Sequence, residues 1–294
     1  MVGITDQPPD CKGLRGKRQD LTPKPRKTAS PIRPPAACAG LPGLRLVQSL
    51  WAGVDRLLAD PDLPPGVALA RMVDPAMAEA MAQTALWAVL ALHRDTFAYA
   101  AQQRQQRWQQ HPQRCSSEVR VAVLGLGQMG RAAALRLAAN GYPVTGWSRS
   151  PIRIDGVTTL AGDAALPAVL GGCDIAVNLL PLTPATRGLF NAAAFAAMPH
   201  FACLVNLARG PYVVEADLLC ALGSGHLRHA VLDVFETEPL PPDHPFWTHP
   251  QVTVLPHVAA QTDLRSAAPI AARNVRALRE GRPLEHLVDR ARAY

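Results

Sequence analysis

The sequence has no uninterrupted apolar run long enough to cross a membrane, since its longest candidate, Ala85 to Leu92, is far too short. It also shows no apolar segment of the kind that secretory signal peptides carry near the N-terminus. The six cysteines form no Cys-x-x-Cys pair and no dense framework, which favours free thiols in a reducing compartment. These absences predict a soluble, cytoplasmic protein, and a hydrophobic content of 48% allows it a large core.

Charge of one sign is concentrated in one stretch of the chain. The net charge is +7, but residues 1–40 alone, with eight Lys and Arg against three acidic residues, contribute +5. The remainder is nearly neutral, so we expect neither a nucleic-acid nor a membrane partner. Because residues 1–40 also hold seven prolines and no helical or strand period, they are expected to form a disordered basic tail. Contact of this tail with nucleic acid is the less favoured alternative.

Apolar segments alternate with helical ones along most of the remaining chain. Strands are predicted at Leu44 to Leu50 and Val67 to Val73, and one helix is predicted from the Asp74-Pro75 start to about Trp108. A last helix is predicted from Leu264 to about Glu280. Between these helices the apolar strand candidates are VRVAVL, YPVTGW, DIAVNLL, ACLVNLA, HAVLDVF and QVTVLP. Such strands predict an α/β protein with a Rossmann-type, doubly wound parallel sheet.

A glycine-rich loop follows the strand VRVAVL. It reads GLGQMG, with Gly125, Gly127 and Gly130 at the three glycine positions and with Leu126, Gln128 and Met129 between them. The first glycine permits a tight turn, the second lets the backbone approach a pyrophosphate, and the third lets helix and strand pack closely. The loop opens a helix, whose N-terminal amides attract phosphate. A strand, this loop and a helix in succession predict a dinucleotide site.

The residues after the next strand indicate which dinucleotide binds. Enzymes that use NAD usually place Asp or Glu there to bind the ribose 2′-hydroxyl. This chain has Ser148, Arg149 and Ser150 instead, and a cation with two hydroxyls would bind a 2′-phosphate. NADP is therefore the predicted cofactor and NAD the less favoured one. The alternative is that Arg149 is a solvated loop residue.

Three ionisable residues lie at or just beyond strand ends, where open parallel sheets bind ligands. Arg209 follows VNLA, Glu238 follows VLDVF by a few residues, and His257 follows VTVLP. Together they suit hydride transfer to a keto acid, in which an arginine holds the carboxylate, a histidine donates the proton and a carboxylate orients the histidine. Taken singly, each could be a structural or surface residue. His244 and His249 lack the partners of a metal site, so no metal is expected.

Several stretches of the sequence resemble the D-isomer-specific 2-hydroxyacid dehydrogenase family, and most closely its glyoxylate/hydroxypyruvate reductase branch. The resemblance covers most of the chain from Val119 to Tyr294, in family order and spacing. The matching stretches are VLGLGQMG, GWSRS, NLLPLTPATRGLFN, LVNLARGPYVVEADLLCAL, LDVFETEPLPPDHPFW, LPHVAA and VDRARAY. A set of this kind is far more specific than any one motif.

The resemblance implies NADPH-dependent reduction of glyoxylate to glycolate and of hydroxypyruvate to D-glycerate. In this reaction, Arg209 would bind the substrate, and His257, paired with Glu238, would donate the proton. Asp233 would contact the nicotinamide amide. Residues lining the cofactor cleft would be Leu180, Pro181, Thr186, Leu207 and Ala208. Backbone amides near Ala52 and Gly53 would hold the substrate carboxylate. The resemblance also implies a homodimer formed through the helix after Asp74.

The sequence departs from the family in two places. The family usually has two more βα units before LPGLRLVQSL, so the smaller, flavodoxin-like substrate domain is expected to be truncated. Trp51 stands where many members have glycine, and it either narrows the substrate pocket or packs in the domain core. The predicted division is a tail at 1–40, a partial substrate domain at 41–73, a linking helix at 74–110, an NAD(P)-binding domain at 111–258 and a C-terminal segment at 259–294 that returns to the substrate domain. Two alternatives stay open: a dehydrogenase of another 2-hydroxy acid, and a truncated cofactor-binding protein without turnover.

Overall fold

The computed structural model of the chain describes residues 43–290. The predicted basic tail at 1–40 lies outside these residues, as do the last four residues of the chain. Within 43–290 the chain forms a small two-stranded sheet and a large seven-stranded sheet. The predicted α/β fold, with a Rossmann-type doubly wound parallel sheet and a second, smaller domain, is confirmed.

The small sheet contains β1 (Leu46–Gln48) and β2 (Ala68–Ala70), which pair in parallel. A short helix, α1 (Asp55–Leu58), lies between them in the chain. Both strands are shorter than the predicted segments. The C-terminal segment reaches the other edge of β2, where the Val288 amide donates to the carbonyl oxygen of Leu69 at 2.8 Å. The beginning and the end of the described chain therefore build one lobe.

The prediction of one long helix after Asp74 is wrong in one respect, because the structure divides this segment into two helices. It forms α2 (Pro75–His93) and α3 (Thr96–Arg104), separated by Asp95, whose φ of 55° is left-handed. The Asp95 carboxylate forms an ion pair with Arg228 and a hydrogen bond with His111 Nδ1. Arg228 also donates to the Leu92 carbonyl at 2.7 Å, which satisfies a backbone group at the end of α2. These contacts to distant residues end the helix where the local sequence would have continued it.

Helix α2 is long and apolar enough to cross a membrane by length and composition alone, and no other helix within residues 43–290 meets that description. Its packing gives another reason for the apolar composition. Eight of its 19 residues are buried, and several belong to the same core cluster as residues of the helix that follows the glycine loop. The helix is therefore a core helix of this fold.

The large sheet and its helices follow in chain order. They are β3 (Val121–Leu124), α4 (Gln128–Ala139), β4 (Val144–Ser148), β5 (Thr158–Ala161), α5 (Leu166–Gly171), β6 (Ile175–Asn178), α6 (Ala192–Ala197), β7 (Ala202–Asn206), α7 (Glu215–Gly223), β8 (Leu227–Leu232), β9 (Val252–Val254) and α8 (Leu264–Arg279). The strand order is β5-β4-β3-β6-β7-β8-β9, and every pair is parallel. All six predicted strands are present. Strand β5 was not predicted, because its alternating exposed residues, TTLA, carry no apolar run.

Alternate residues of the central strands pack into two separate cores. On β3, Ala122 and Leu124 belong to one apolar cluster, whereas Val121 and Val123 belong to the other. The sheet is therefore covered on both faces, as its continuous apolar strands predict. The chain leaves β3 toward β4 on one side and returns to β6 on the other. This reversal opens a crevice at the carboxyl ends of β3 and β6, where doubly wound folds bind ligands.

The start of α2 depends on a buried carboxylate. One oxygen of Asp74 accepts the Ala76 amide at 2.9 Å, and the other accepts the Ser266 hydroxyl of α8 at 2.6 Å. We expect Asp74→Ala to lower the free energy of unfolding by about 1–3 kcal/mol, since it removes a cap and an inter-helix bond. Ser266→Ala, which removes only the second contact, should cost less. Urea titration tests this, and an unchanged midpoint in Asp74→Ala would contradict it.

Candidate active site

The glycine loop joins β3 to α4 at the crevice. Gly125 has a φ of 96°, and a Cβ there would lie 2.7 Å from the Leu179 backbone. A Cβ on Gly130 would lie 1.6 Å from the Gly125 carbonyl oxygen, so only glycine allows α4 to pack so close to the strand. A Cβ on Gly127 would meet no atom within 4 Å. Close packing therefore requires glycine at two positions of the loop, whereas the third glycine faces open space.

That open space fits a pyrophosphate. Gly127 and Gln128 are exposed, whereas Leu126 is buried against Gly146 of β4 and Met129 packs against the core. Gly127 is also the residue before the first turn of α4, whose unpaired amides favour an anion. The backbone of the loop, and not its side chains, is therefore what a phosphate would contact.

The segment that was predicted to choose the cofactor begins at Ser148, the last residue of β4. Ser148 is partly buried and its hydroxyl donates to the Ser150 carbonyl at 2.8 Å, which shapes the turn. Arg149 and Ser150 are exposed at the tip. No acidic side chain occupies residues 148–150, so nothing in this turn repels a 2′-phosphate.

Two buried asparagines, which the sequence reasoning missed, hold the loops on the other side of the crevice. Asn178 ends β6 and Asn206 ends β7, and the Asn178 amide donates to the Asn206 side-chain oxygen at 3.0 Å. The Asn178 oxygen accepts the Leu180 amide at 3.3 Å, and the Asn206 oxygen accepts the Ala208 amide, also at 3.3 Å. The sequence signal that could have predicted them is an asparagine at the last position of each of two adjacent apolar strands.

The same pair of loops carries the remaining residues predicted for the cofactor cleft. Leu180, Leu207 and Ala208 are buried, while Pro181 is exposed. The Thr186 hydroxyl lies 3.3 Å from the Pro181 carbonyl and 3.2 Å from the Tyr212 hydroxyl. Burial raises the pKa of Tyr212 above its ordinary value, so this phenol stays neutral and acts as a hydrogen-bonding support for the loop.

Arg209 leaves the end of β7 and reaches the small lobe. The Asn206 side-chain amide donates to the Arg209 carbonyl at 2.9 Å, which fixes the backbone. The guanidinium donates from Nε to Asp55 at 3.0 Å and from Nη1 to the Ala208 carbonyl at 2.6 Å. Its Nη2 lies so close to Gly53 that a Cβ there would stand 1.4 Å away. Arg209 therefore spans the two lobes beside the Trp51–Gly53 turn.

Glycine is also required immediately after Arg209. A Cβ on Gly210 would lie 1.8 Å from the Phe235 carbonyl carbon, so the loop after β7 packs directly on the loop after β8. The Phe235 amide in turn donates to Glu238 at 3.1 Å. Close packing of the two backbones keeps Arg209 and Glu238 on the same side of the sheet.

Glu238 and His257 form the hydrogen bond that the sequence predicted. The distance between His257 Nδ1 and Glu238 Oε2 is 2.9 Å, and Arg56 Nη2 lies 3.6 Å from the same carboxylate oxygen. Burial opposes ionisation of Glu238, but the hydrogen bonds from His257 and the Phe235 amide, with the charge of Arg56, hold its pKa below the ordinary value. Glu238 is therefore ionised near neutral pH and can stabilise a protonated imidazole.

Asp233 holds the loop on which His257 lies. It is buried, and its two oxygens accept the amides of Val258 at 2.7 Å and Ala259 at 2.9 Å. Burial raises the pKa of Asp233, although the two amides act in the opposite direction. The His257 amide also donates to the Asp233 carbonyl at 2.9 Å, and His257 has a left-handed φ of 54°. The structure thus shows Asp233 supporting the His257 loop; contact with a nicotinamide amide stays a prediction.

Trp51 lies beside the histidine. The ring centroids of Trp51 and His257 are 6.2 Å apart in an edge-on arrangement, and the indole is partly buried. Ser49 fixes this turn, since its hydroxyl oxygen accepts the Trp51 amide at 3.0 Å. Ala52 packs on a small cluster with Met72 and Met77. Trp51, Gly53, Arg209 and His257 therefore surround one cleft between the lobes, and within residues 43–290 no group of three possible metal ligands accompanies them.

Comparison with known proteins adds independent evidence. Residues 86–259 match the D-isomer specific 2-hydroxyacid dehydrogenase, NAD binding domain family. A glyoxylate/hydroxypyruvate reductase A of Serratia proteamaculans is 42% identical over 272 residues, which cover 90% of this chain and 87% of that protein.

Two solved structures are also similar, each with a TM-score of 0.83. A D-isomer specific 2-hydroxyacid dehydrogenase from Xanthobacter autotrophicus in complex with NADPH and MES is 47% identical, over 86% of this chain and 80% of that one. An NADPH-dependent glyoxylate/hydroxypyruvate reductase from Sinorhizobium meliloti in complex with NADP and sulfate is 43% identical, over 86% of this chain and 81% of that one.

The sheet, the glycine loop at its reversal point and the Arg209, Glu238 and His257 cleft define an NAD(P)-dependent oxidoreductase. The matches cover most of the chain at 42% identity and above. The chain belongs to the D-isomer specific 2-hydroxyacid dehydrogenase family.

The glycine loop allows a test that separates packing from cofactor contact. We expect Gly127→Ala to leave the unfolding temperature unchanged but to weaken dinucleotide binding about tenfold or more, because the added methyl enters the space for the pyrophosphate. Unlike Gly127→Ala, Gly130→Ala should lower the free energy of unfolding by about 1–3 kcal/mol, because its methyl would overlap the Gly125 carbonyl oxygen. Calorimetry and thermal unfolding measure both effects. Equal destabilisation by the two variants would contradict this assignment.

Proposed function

We propose that this protein is an NADPH-dependent reductase of small 2-keto acids, with glyoxylate and hydroxypyruvate as substrates. The observation that carries the proposal is the His257–Glu238 hydrogen bond, 2.9 Å long, in the same cleft as Arg209. The names of the relatives support the substrates: one is a glyoxylate/hydroxypyruvate reductase A, and another is an NADPH-dependent enzyme of that kind crystallised with NADP.

The cleft fits NADPH at three places. Gly127 offers an open cradle at the α4 N-terminus for the pyrophosphate. Arg149 and Ser150 supply a cation and a hydroxyl for a 2′-phosphate, on a turn that the Ser148 hydroxyl shapes through its bond to the Ser150 carbonyl. Leu180, Leu207 and Ala208 give an apolar wall at the ends of β6 and β7. When bound, the nicotinamide supplies a hydride.

The side chains provide binding and proton transfer. The Arg209 guanidinium binds the substrate carboxylate with the backbone amides near Ala52 and Gly53, and polarises the carbonyl. His257 donates a proton from Nε2 to the carbonyl oxygen as the hydride reaches the carbonyl carbon, which yields a hydroxyl. Ionised Glu238 accepts from Nδ1, so it fixes the ring orientation and stabilises the charged imidazole before transfer.

The size of the substrate pocket is part of the proposal. Trp51 lies edge-on to His257 and occupies space that a glycine would leave empty. We infer that it restricts the cleft to two- and three-carbon keto acids. Reduction of larger 2-keto acids with equal kcat/KM would instead favour a dehydrogenase of broader or different specificity.

We also propose the larger organisation. Residues 43–73 and the C-terminal segment form the substrate lobe, residues 111–258 form the cofactor domain, and α2 joins them. Trp87 and Leu90 of α2 are 43% and 39% exposed, respectively, and such an apolar surface supports a homodimer. The proposal places the enzyme in the cytoplasm and includes neither a nucleic-acid nor a membrane partner.

Turnover of the purified protein tests the central assignment. We expect NADPH to be oxidised in the presence of glyoxylate and of hydroxypyruvate. His257→Gln should lower kcat by about 10²- to 10⁴-fold, because it removes the proton donor, with NADPH affinity nearly unchanged. A fully active His257→Gln would remove this residue as the acid. NADPH binding without turnover in the wild type would indicate a cofactor-binding protein instead.

Cofactor preference tests the role of Arg149. Arg149→Asp should shift the ratio of kcat/KM for NADPH over NADH toward NADH by about tenfold or more, because it exchanges a phosphate-binding cation for an acid that suits the 2′-hydroxyl. Arg153→Asp makes the same charge change four residues further along, where Arg153 is exposed and pairs with Asp155. The control should keep the wild-type ratio. The same ratio in both variants would contradict the 2′-phosphate assignment.

A further inference from the structure

Two consecutive residues at the start of α1 face opposite charges across the cleft. Asp55 Oδ1 lies 3.0 Å from Arg209 Nε, and Arg56 Nη2 lies 3.6 Å from Glu238 Oε2. Both α1 residues belong to the small lobe, whereas Arg209 and Glu238 extend from the large sheet. Neither was singled out by the sequence, and each pairs with a residue of the proposed catalytic machinery.

Arg209 needs an external constraint on its orientation. Its side chain is long and has many rotamers, and more than a quarter of it is exposed. The Ala208 carbonyl contacts Nη1, but this group belongs to the neighbouring residue and can follow the side chain as it moves. The hydrogen bond to Asp55 reaches the other lobe, and it fixes the rotation of the guanidinium plane about the end of the side chain.

We propose that Asp55 is a positioning residue that orients the Arg209 guanidinium toward the Trp51–Gly53 turn for binding of the substrate carboxylate. With Nε bound to Asp55, Nη2 lies against Gly53, where a Cβ would stand only 1.4 Å from it. This inference rests on the proposed function, because the turn and Arg209 form the carboxylate site in that account.

The anchor itself is well fixed. Asp55 is the first residue of α1, and its backbone carbonyl accepts the Ala59 amide at 3.0 Å. The turn before it is tied to the segment that follows β2, since the Met72 amide donates to the Trp51 carbonyl at 3.0 Å. Arg56 pairs with Glu238 through Oε2, the same carboxylate oxygen that accepts from His257. Arg209 and Glu238, which have opposite charges, therefore each have a separate partner.

The charge of Asp55 makes the inference easy to contradict. An acid beside the anion-binding arginine repels an anionic substrate, so if Asp55 were only a counter-charge, its neutralisation would tighten anion binding. If Asp55 orients Arg209, its neutralisation should weaken anion binding, because the neutral amide oxygen of asparagine accepts the Arg209 Nε–H less strongly than a carboxylate does, which loosens the bidentate geometry. The two roles therefore predict opposite changes in anion affinity for the same substitution, Asp55→Asn, which keeps the side-chain volume nearly constant.

The experiment measures binding and turnover together. Oxamate, an unreactive carboxylate with an adjacent carbonyl, is titrated by calorimetry into the full chain saturated with NADPH. We expect Asp55→Asn to weaken oxamate binding about tenfold and to raise KM for glyoxylate more than it lowers kcat, with NADPH affinity unchanged. Asp62→Asn removes the same charge from an exposed position in the same lobe and should match the wild type. Asp55→Glu, which keeps the charged carboxylate acceptor, should recover part of the loss.

A second background shows whether Asp55 acts through Arg209. Lysine at position 209 keeps the charge but has no Nε–H to donate to Asp55. In Arg209→Lys, adding Asp55→Asn should therefore change oxamate affinity by less than about twofold. Full additivity of the two losses would overturn the positioning role. Thermal unfolding of each variant shows whether it is folded, and Asp55→Ser replaces Asp55→Asn if the latter unfolds.

The outcomes separate this inference from the proposed function. Unchanged or tighter oxamate binding in Asp55→Asn, with an active wild type, overturns the role of Asp55 alone. A wild type that binds oxamate but reduces neither keto acid overturns the proposed function, and the effect of Asp55→Asn on oxamate affinity is still measured. A wild type that does neither contradicts both.

Discussion

The hydrogen bond between Glu238 and His257 joins two loops that leave neighbouring parallel strands, and it forms only if both loops are fixed. Asp233, at the end of β8, accepts two amides from the segment after His257, and the Phe235 amide fixes Glu238. Burying the Asp233 carboxylate is costly, and those two hydrogen bonds offset part of that cost. The left-handed φ of His257 is held by the same contacts. The position of one imidazole therefore depends on a buried acid that binds the backbone amides of the next two residues.

Polar contacts at the ends of strands also hold the other residues of the site in place. Asn178 and Asn206 are buried at the ends of adjacent strands and bind the loops that carry Leu180 and Arg209. Gly210 lets the loop after β7 contact the loop after β8. Because the strands are parallel, these loops all leave the sheet at one edge, opposite the small lobe. The reactive groups lie on loops, and the rigidity comes from polar contacts at the ends of buried strands.

Sequence and structure agree where the signal is local. Apolar strands, the glycine loop and the residues that follow each strand were readable, because a parallel sheet brings all its carboxyl ends to one edge. The break between α2 and α3 was not readable, since it depends on pairing of Asp95 with Arg228, far along the chain. Strand β5 escaped because it is an edge strand with little burial. Asp55 was not predicted as a site residue for a related reason. Its partner, Arg209, lies 154 residues away, and no local pattern marks the pair.

In the proposed reaction, a hydride passes from NADPH to a 2-keto acid bound in this cleft. Transfer of label tests it directly: NADPH with deuterium at both C4 positions is incubated with the protein and glyoxylate, and the product is analysed by mass spectrometry. We expect glycolate with one deuterium on the carbon that carried the carbonyl. Glycolate without deuterium, or no glycolate despite bound NADPH, would contradict it.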